Sequence, residues 1–502
     1  MTRRDFLLSA AAVAGSGFAK DAAEVLVGGL RLRVGILSDI HVTSLEDSGW
    51  FEKALRWFDA SRVDAVLITG DLCTNGHVSE IEAVAATWFK VFPDDRRSDG
   101  GKVERLFLTG NHDEDGFAYG SFKTTEEARR GSFRYNRETV WQRLFHEAYH
   151  PVSVKTVRGY VFILHNWMSI LGDEQFHCLA KGRTNDISPL PELLPKIELP
   201  RGRPFFYAQH APMNDTTNAT WLLDGKRWNN GQDKGRTKSV LDGYPNCLAF
   251  TGHCHNSLTD ERSIWQGGFT AVNCSCLCGF AFTPPGRENG HSIPDFGRKP
   301  PYEMGMLDVS KVRQALLMDV FDDEIRIRRF GLYEKLPLGP DWIVSLYGGR
   351  TIPASGVPRY DFKTRKVRSR PPRFSENAAI SVKRIANGHR RDSGGRSLDP
   401  ADRCQVVVSF PSITTGEGSP SRGYDFLVRC EERLTTGTRM LSEKRVFSSS
   451  VLLAEQCETP FCTCAFAGED VPSDRVVRFT VEPYDCWGNA GIPLRSAWSR
   501  IS

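Results

Sequence analysis

Gly110-Asn111-His112-Asp113 follows the apolar run Val103-Glu104-Arg105-Leu106-Phe107-Leu108, and its reading decides the fold of this chain. Alone, such a quartet is an ordinary turn, because Asn and Gly are common turn residues. Four other short polar clusters repeat the arrangement, each after its own apolar run. They are Ser38-Asp39-Ile40-His41, Thr69-Gly70-Asp71, Gln209-His210-Ala211-Pro212 and Thr251-Gly252-His253-Cys254-His255. Apolar runs of strand length, separated by amphipathic stretches, make α/β sequence. In open α/β sheets, polar residues beyond the carboxyl ends of strands converge on one edge, where ligands bind.

Working outward, strands are predicted at residues 32–37, 65–68, 106–108, 160–164, 204–208 and 247–250. Helices are predicted at 50–60, 79–89 and 138–149, the first from apolar positions Trp50, Ala54, Leu55, Trp57 and Phe58. Residues 314–320 and 324–328 read as a hairpin around Phe321-Asp322-Asp323 that closes the sheets of the first domain. Residues 351–370 have the Pro, Gly and Arg content of an exposed linker, and the basic run 363–373 reads as a solvated connector. From Pro371 onward the signals are all β, at 379–382, 405–410, 424–428, 451–453 and 476–481, which suggests a small sandwich. The predicted organisation is an export signal over 1–23, a first domain over 24–350, a linker over 351–370 and the sandwich over 371–502.

The side chains in the five clusters have a shared chemistry. Asp39 and Asp71 supply carboxylates, Asn111 an amide oxygen, and His41, His210, His253 and His255 imidazoles. His253 and His255, two residues apart, lie on one face of an extended segment. Mixed oxygen and nitrogen donors of this kind suit Mn, Fe or Zn, and no cysteine is needed.

The order Asp-x-His, Gly-Asp, Gly-Asn-His-Asp, His, Gly-His-x-His resembles the calcineurin-like metallophosphoesterase family over about residues 30–350. The resemblance implies two packed β-sheets flanked by helices, and two divalent metal ions bridged by one carboxylate. It implies that Asp39, His41 and His255 bind the first ion, that Asp71 bridges, and that Asn111, His210 and His253 complete the second. His112 is then the acid that protonates the leaving group, Asp113 orients its imidazole, and Gly110 lets the backbone turn. After Asp71, the run Leu72-Cys73-Thr74-Asn75-Gly76 lacks the tyrosine of purple acid phosphatases and the Asp-Arg-Gly pattern of protein serine/threonine phosphatases. The chain looks nearer to phosphodiesterase-type members acting on nucleotides or other small phosphate esters. Gln209 departs from what many relatives carry before the histidine, which puts His210 in question first. Specificity is expected in the loops 114–149 and 214–242, which include Trp221 and Trp228.

The N-terminus carries its own signal. Thr2-Arg3-Arg4-Asp5-Phe6-Leu7-Leu8 and the uncharged run that follows it to Ala19 resemble a twin-arginine export signal, cleaved after Ala19 or Ala23. The run is too short for a mature membrane helix, and no other stretch is long and apolar enough, so a periplasmic or secreted protein is expected. The formal net charge of +4 lends no support to a nucleic-acid binder. A nuclease of the same fold therefore ranks below a phosphoesterase of small substrates. A non-catalytic surface protein whose sandwich contacts glycan or protein is the reading from another class, and the full ligand set speaks against it. Thirteen cysteines cannot all pair. Cys274, Cys276 and Cys278 alternate and read as buried small hydrophobes, with a thiolate metal site as the alternative. Cys404, Cys430, Cys457, Cys462, Cys464 and Cys486 leave room for one or two bridges. The closing run from Phe479 to Gly491 resembles the last strands of a fibronectin type III-like module.

Overall fold

The computed structural model describes residues 29–114, 123–167, 190–218, 220, 236–279, 309–388, 403–415, 419–448 and 451–502. The predicted export signal lies outside the described residues, as do residues 115–122, 219 and 221–235 of the two loops where specificity is expected, Trp221 and Trp228 among them.

Residues 32–345 build two sheets. The first contains β1 (Leu32–Leu37), β2 (Ala65–Thr69) and β3 (Glu104–Leu108). The second contains β4 (Val152–Val157), β5 (Tyr160–His165), β6 (Phe205–Gln209), β7 (Cys247–Thr251), β8 (Ile264–Gln266) and β9 (Thr270–Asn273). The chain then returns to the first sheet with β10 (Gln314–Val320), β11 (Glu324–Gly331), β12 (Leu336–Pro337) and β13 (Trp342–Ser345). The orders are β12-β11-β10-β1-β2-β3, with β13 also on β11, and β4-β5-β6-β7-β9-β8. Strands β1, β2 and β3 run parallel, as do β5, β6, β7 and β9. Both runs of parallel strands therefore end at one edge, which is where the five polar clusters sit.

These strands read as continuous apolar runs because both of their faces are covered. Between the sheets, Val34, Ile36, Leu67, Leu106 and Leu108 meet Phe162, Leu164, Phe206, Leu248 and Phe250. On the outer face of the first sheet lie α1 (Gly49–Ala60), α2 (Val78–Val91) and α3 (Phe133–Phe145). In α1 the buried Phe51, Ala54, Leu55 and Phe58 form one stripe. A Cβ at Gly35 of β1 would fall inside the Phe58 ring, so glycine there sets how closely α1 approaches the sheet. Helix α3 lies earlier than the predicted 138–149. Phe133, Val140, Trp141 and Phe145 bury one face, and His146 stops the helix in the left-handed region at φ 58°.

The C-terminal region comprises β14 (Ser381–Gly388), β15 (Arg403–Pro411), β16 (Asp425–Leu434), β17 (Gly437–Phe447), β18 (Phe461–Ala467), β19 (Val477–Tyr484) and β20 (Leu494–Arg495). They form two antiparallel sheets, β14-β15-β18 and β17-β16-β19-β20, around Val406, Val408, Phe410, Phe426, Val428, Phe466, Phe479 and Val481. Strand β17 is absent from the sequence expectation because its charged, largely exposed face hides the apolar alternation. Residues 451–453 do not form the expected strand. Val451 and Leu452 are instead buried beside Cys276, Val312, Tyr424 and Phe447, and the Leu452 carbonyl accepts from Gln314 Nε2 at 2.8 Å and Ser257 Oγ at 3.1 Å. This segment plugs the sandwich into the first domain.

Residues 351–370 are exposed over about half of their length, as a linker would be, but are pinned at points along it. Thr351, Ile352 and Tyr360 are buried, and α4 (Phe362–Arg368) starts at Asp361, whose carboxylate accepts from Thr364 N at 2.8 Å. The basic run is not solvated throughout. Arg365 reaches Glu261 Oε2 at 2.7 Å and lies over the Trp487 ring at 4.8 Å, which ties the first domain to the sandwich. The described cysteines are free thiols, and Cys274 and Cys276 are buried. No described helix is long and apolar enough to cross a membrane.

Candidate metal centre

The chain turns sharply where β1, β2 and β7 end. Asp39, His41, Asp71, His253 and His255 all adopt left-handed φ, at 49°, 47°, 51°, 65° and 47°. Non-glycine residues held there cost about 1–3 kcal/mol each and persist where the surrounding structure fixes them. Backbone bonds between the loops do so here. Asp39 N donates to Gly70 O at 3.0 Å, His41 N to Asp71 O at 3.1 Å, and Gly252 N to His210 O at 2.8 Å.

Glycines allow the loops to close on one another. A Cβ at Gly252 would fall on Ser38 Oγ, one at Gly70 on the His210 ring, and one at Gly110 on Asp71 Oδ1. Gly110 is thus required for close approach to the Asp71 carboxylate rather than for the turn expected of it, since its φ is not positive.

The loops bring all seven predicted ligands together. Asp39 Oδ1 lies 2.9 Å from His255 Nε2, and Asp71 Oδ2 lies 3.5 Å from His41 Nε2 and 3.2 Å from His210 Nε2. His210 Nε2 is also 3.0 Å from Asn111 Oδ1 and 3.2 Å from His253 Nδ1. Two clusters of donor atoms result, Asp39–His41–Asp71–His255 and Asp71–His210–His253, with Asp71 common to both. Gln209 does not disturb His210, because its side chain accepts from Tyr207 and donates to the Ala211 carbonyl, bracing the loop.

The donors fit divalent cations. Among the described residues His41 Nε2 is buried without a hydrogen-bond partner, and His210 Nε2 lies beside His253 Nδ1 with the Asp71 carboxylate and the Asn111 amide oxygen close by. Without an ion, burial works to lower His210, yet the Asp71 and Asp39 carboxylates raise it to about 9. Burial and then the neighbouring His210 push His253 down to about 3. Burial likewise lowers His41. Burial works to raise Asp39 and Asp71, but the surrounding imidazoles hold both below the usual carboxylate range.

His112 packs edge-on against His41, with ring centroids 4.7 Å apart, and its Nδ1 lies 2.7 Å from the Thr74 carbonyl. That carbonyl, not Asp113, sets the imidazole's orientation. Asp113 is fully buried and turned inward, accepting from Gly110 N at 2.7 Å, Cys73 N at 2.8 Å and Leu72 N at 3.1 Å. Burial and then the nearby Asp71 raise its pKa to about 6. Its position three residues into the Gly110 quartet lets it stitch the β2 and β3 loops together, so it is a brace rather than a partner of His112.

Three contributors were not legible in the sequence. The Thr69 carbonyl holds His210 Nδ1 at 2.8 Å. Trp167 follows β5, donates its backbone N–H to Thr109 O at 3.0 Å, and sets its ring about 6 Å from those of His210 and His253. Its position after a strand was the available signal. Cys278, flagged only by alternation, brings Sγ to 3.7 Å from His255 Nδ1.

This geometry agrees with the family comparison, in which residues 32–257 match the model described as calcineurin-like phosphoesterase. Residues 32–257 form a calcineurin-like phosphoesterase domain. Among solved structures, the chain is similar to a dimetal phosphatase from Danio rerio, at 11% identity and TM-score 0.37, covering 63% of this chain and 100% of that one. It is similar to a predicted phosphoesterase from Streptococcus pneumoniae, at 12% identity and TM-score 0.24, covering 62% and 97%. It is also similar to Vacuolar Protein Sorting 29 from Cryptosporidium parvum, at 10% identity and TM-score 0.27, covering 63% and 98%. No curated protein matches the chain. The phosphoesterase domain thus carries candidate metal ligands in Asp39, His41, Asp71 and His255.

Proposed function

We propose that this protein is an exported, metal-dependent phosphoesterase that hydrolyses small phosphate diesters or monoesters at the Asp71 site. The observation that carries this reading is the sharing of Asp71 by the two donor clusters. Asp39, His41, Asp71 and His255 would hold one divalent ion, and Asp71, Asn111, His210 and His253 the other, with Mn, Fe or Zn suited to these donors. Bound there, the ions supply charge stabilisation of the phosphoryl oxygens and acidify a water for in-line attack.

The chain's own residues do the rest. With its Nδ1 hydrogen donated to Thr74 O, His112 in its imidazolium form would give its Nε2 proton to the departing ester oxygen and be left as the neutral ring. His210 donates its Nδ1 hydrogen to Thr69 O, which aims Nε2 at the donor cluster. Trp167 walls the His210 and His253 side. The motif pattern favours diesters, and the mild net charge favours small substrates over nucleic acid. The Arg3-Arg4 run supports export in folded form, so a pair of lysines at these positions should retain the protein in the cytoplasm, as read by cell fractionation. The main test is metal content of the purified chain together with turnover of bis-p-nitrophenyl phosphate and p-nitrophenyl phosphate. Two ions per chain and diester turnover are expected; a metal-free, inert protein would sink the reading.

A further inference from the structure

Two imidazoles of this centre rest one ring nitrogen on a backbone carbonyl. For His210 the support is the Thr69 carbonyl at 2.8 Å, and for His112 the Thr74 carbonyl at 2.7 Å. His255 differs. Its Nε2 meets Asp39 Oδ1 at 2.9 Å, while its Nδ1 faces Cys278 Sγ at 3.7 Å, a length suited to an N–H donating to sulfur.

The sulfur is held in place by the metal motif itself. Leu277 N donates to Ser38 O at 3.1 Å and Asp39 O at 3.2 Å, so the residue before Cys278 hangs from the backbone of the Asp39 loop. Leu277 O accepts from Arg313 Nη1 at 2.6 Å. On the other side, Cys276 and Cys278 pack on the apolar cluster that includes Val312 and the Val451-Leu452 plug from the sandwich. Cys278 is therefore a built support, positioned by both domains.

We propose that Cys278 is a positioning residue of the first half-site: its sulfur accepts the Nδ1 hydrogen of His255 and so fixes the tautomer that turns Nε2 toward the metal. The inference rests on the reading of the Asp71 site as a metal centre. Metal-binding histidines characteristically donate their second ring N–H to a fixed acceptor, and loss of that acceptor weakens metal affinity by about 10–100-fold. A sulfur in this role is more polarisable than a carbonyl and is open to oxidation, which gives the first half-site a sensitivity that the second lacks.

His41, His255 and Cys278 also form a trio of potential ligands. One ion cannot use both nitrogens of His255, however, and Nε2 is the nitrogen that belongs with Asp39. The sulfur then stands behind the ligand rather than among the ligands.

The test compares wild type, Cys278→Ser and Cys278→Ala by titrating the metal-free proteins with Co(II), reading uptake and the visible spectrum. Serine keeps an acceptor, whereas alanine keeps only small volume. We expect alanine to weaken one of the two binding events by about 10–100-fold, serine to recover most of that loss, and the other event to stay as in wild type. Equal affinities in all three proteins, or a loss in serine as large as in alanine, would overturn the proposal. A sulfur-to-cobalt charge-transfer band in wild type that disappears in Cys278→Ser would also overturn it, in favour of direct ligation. Failure of the metal-centre reading would appear in the wild type itself, as no metal uptake. Failure of the Cys278 inference alone would appear only in the variants.

Discussion

The half-site around Asn111, His210 and His253 is braced by backbone from the ends of its own strands, whereas the half-site around Asp39, His41 and His255 leans on a segment that the C-terminal sandwich covers. In the first case the supports are the Thr69 carbonyl and Trp167, anchored through Thr109 beyond β3. In the second they are Ser38, whose hydroxyl donates to Asp39 Oδ2, and Cys278 beside the Val451-Leu452 plug. Similar donors are thus held by two different devices. The difference teaches that the sandwich is part of the centre's architecture, although it contributes none of the seven candidate ligands.

Asp71 is the place where the comparison breaks most completely, because both halves use it. Asp71→Ala should empty both half-sites and lower turnover by about 10³-fold, the size expected when a central electrostatic contact is lost. Metal analysis together with diester turnover checks this, and an ion retained at full affinity would show that the halves are independent. His112→Ala should leave both ions in place while turnover falls by roughly 10²-fold. The fall should be smaller for a p-nitrophenyl ester than for an alkyl ester, because a good leaving group needs no proton; equal losses would remove His112 as the acid.

Asp113→Asn sharpens the strand-side brace. Both oxygens accept from backbone N–H groups, so an amide places donor against donor, and stability should fall by about 2 kcal/mol in denaturant unfolding. Unchanged stability would mean that the loops do not depend on this carboxylate. The smallest effect is expected from Val451→Ala in the plug. Losing its buried methyls should cost about 1.5 kcal/mol, and the accompanying loss of metal affinity should fall on the first half-site alone. Equal weakening of both ions in a calorimetric titration would dissolve the distinction between the two supports.

Much of the centre was legible because its ligands follow strands, and a strand's end is marked by an apolar run giving way to Gly, Asp, Asn or His. Asp39, His41, Asp71, Asn111, His210, His253 and His255 all carry that mark. Asp113 shows where such reading fails. A carboxylate beside a histidine suggests a pair, but the short helical turn Asn111–Glu114 points the two side chains apart, one to Thr74 O and one to the β2 loop. Trp167 bears the same strand-end mark, but an indole carries no metal-ligand chemistry that would single it out in the sequence. The basic run after residue 362 departs from its expectation at one residue. Lys363, Lys366, Arg368, Arg370 and Arg373 are exposed, but Arg365 is held between Glu261 and the Trp487 ring.

By itself the sequence determined the alternation of strands and helices, the polar residues at strand ends and the donor chemistry, because these follow from local periodicity and residue type. Only the tertiary structure decided which carbonyl or sulfur stands behind His112, His210 and His255, and that the sandwich is plugged into the first domain. Those features depend on contacts between residues far apart in the chain, such as His255 Nε2 with Asp39 Oδ1 and Leu452 O with Gln314 Nε2. No local pattern encodes such contacts, since their geometry exists only once the two sheets have packed face to face.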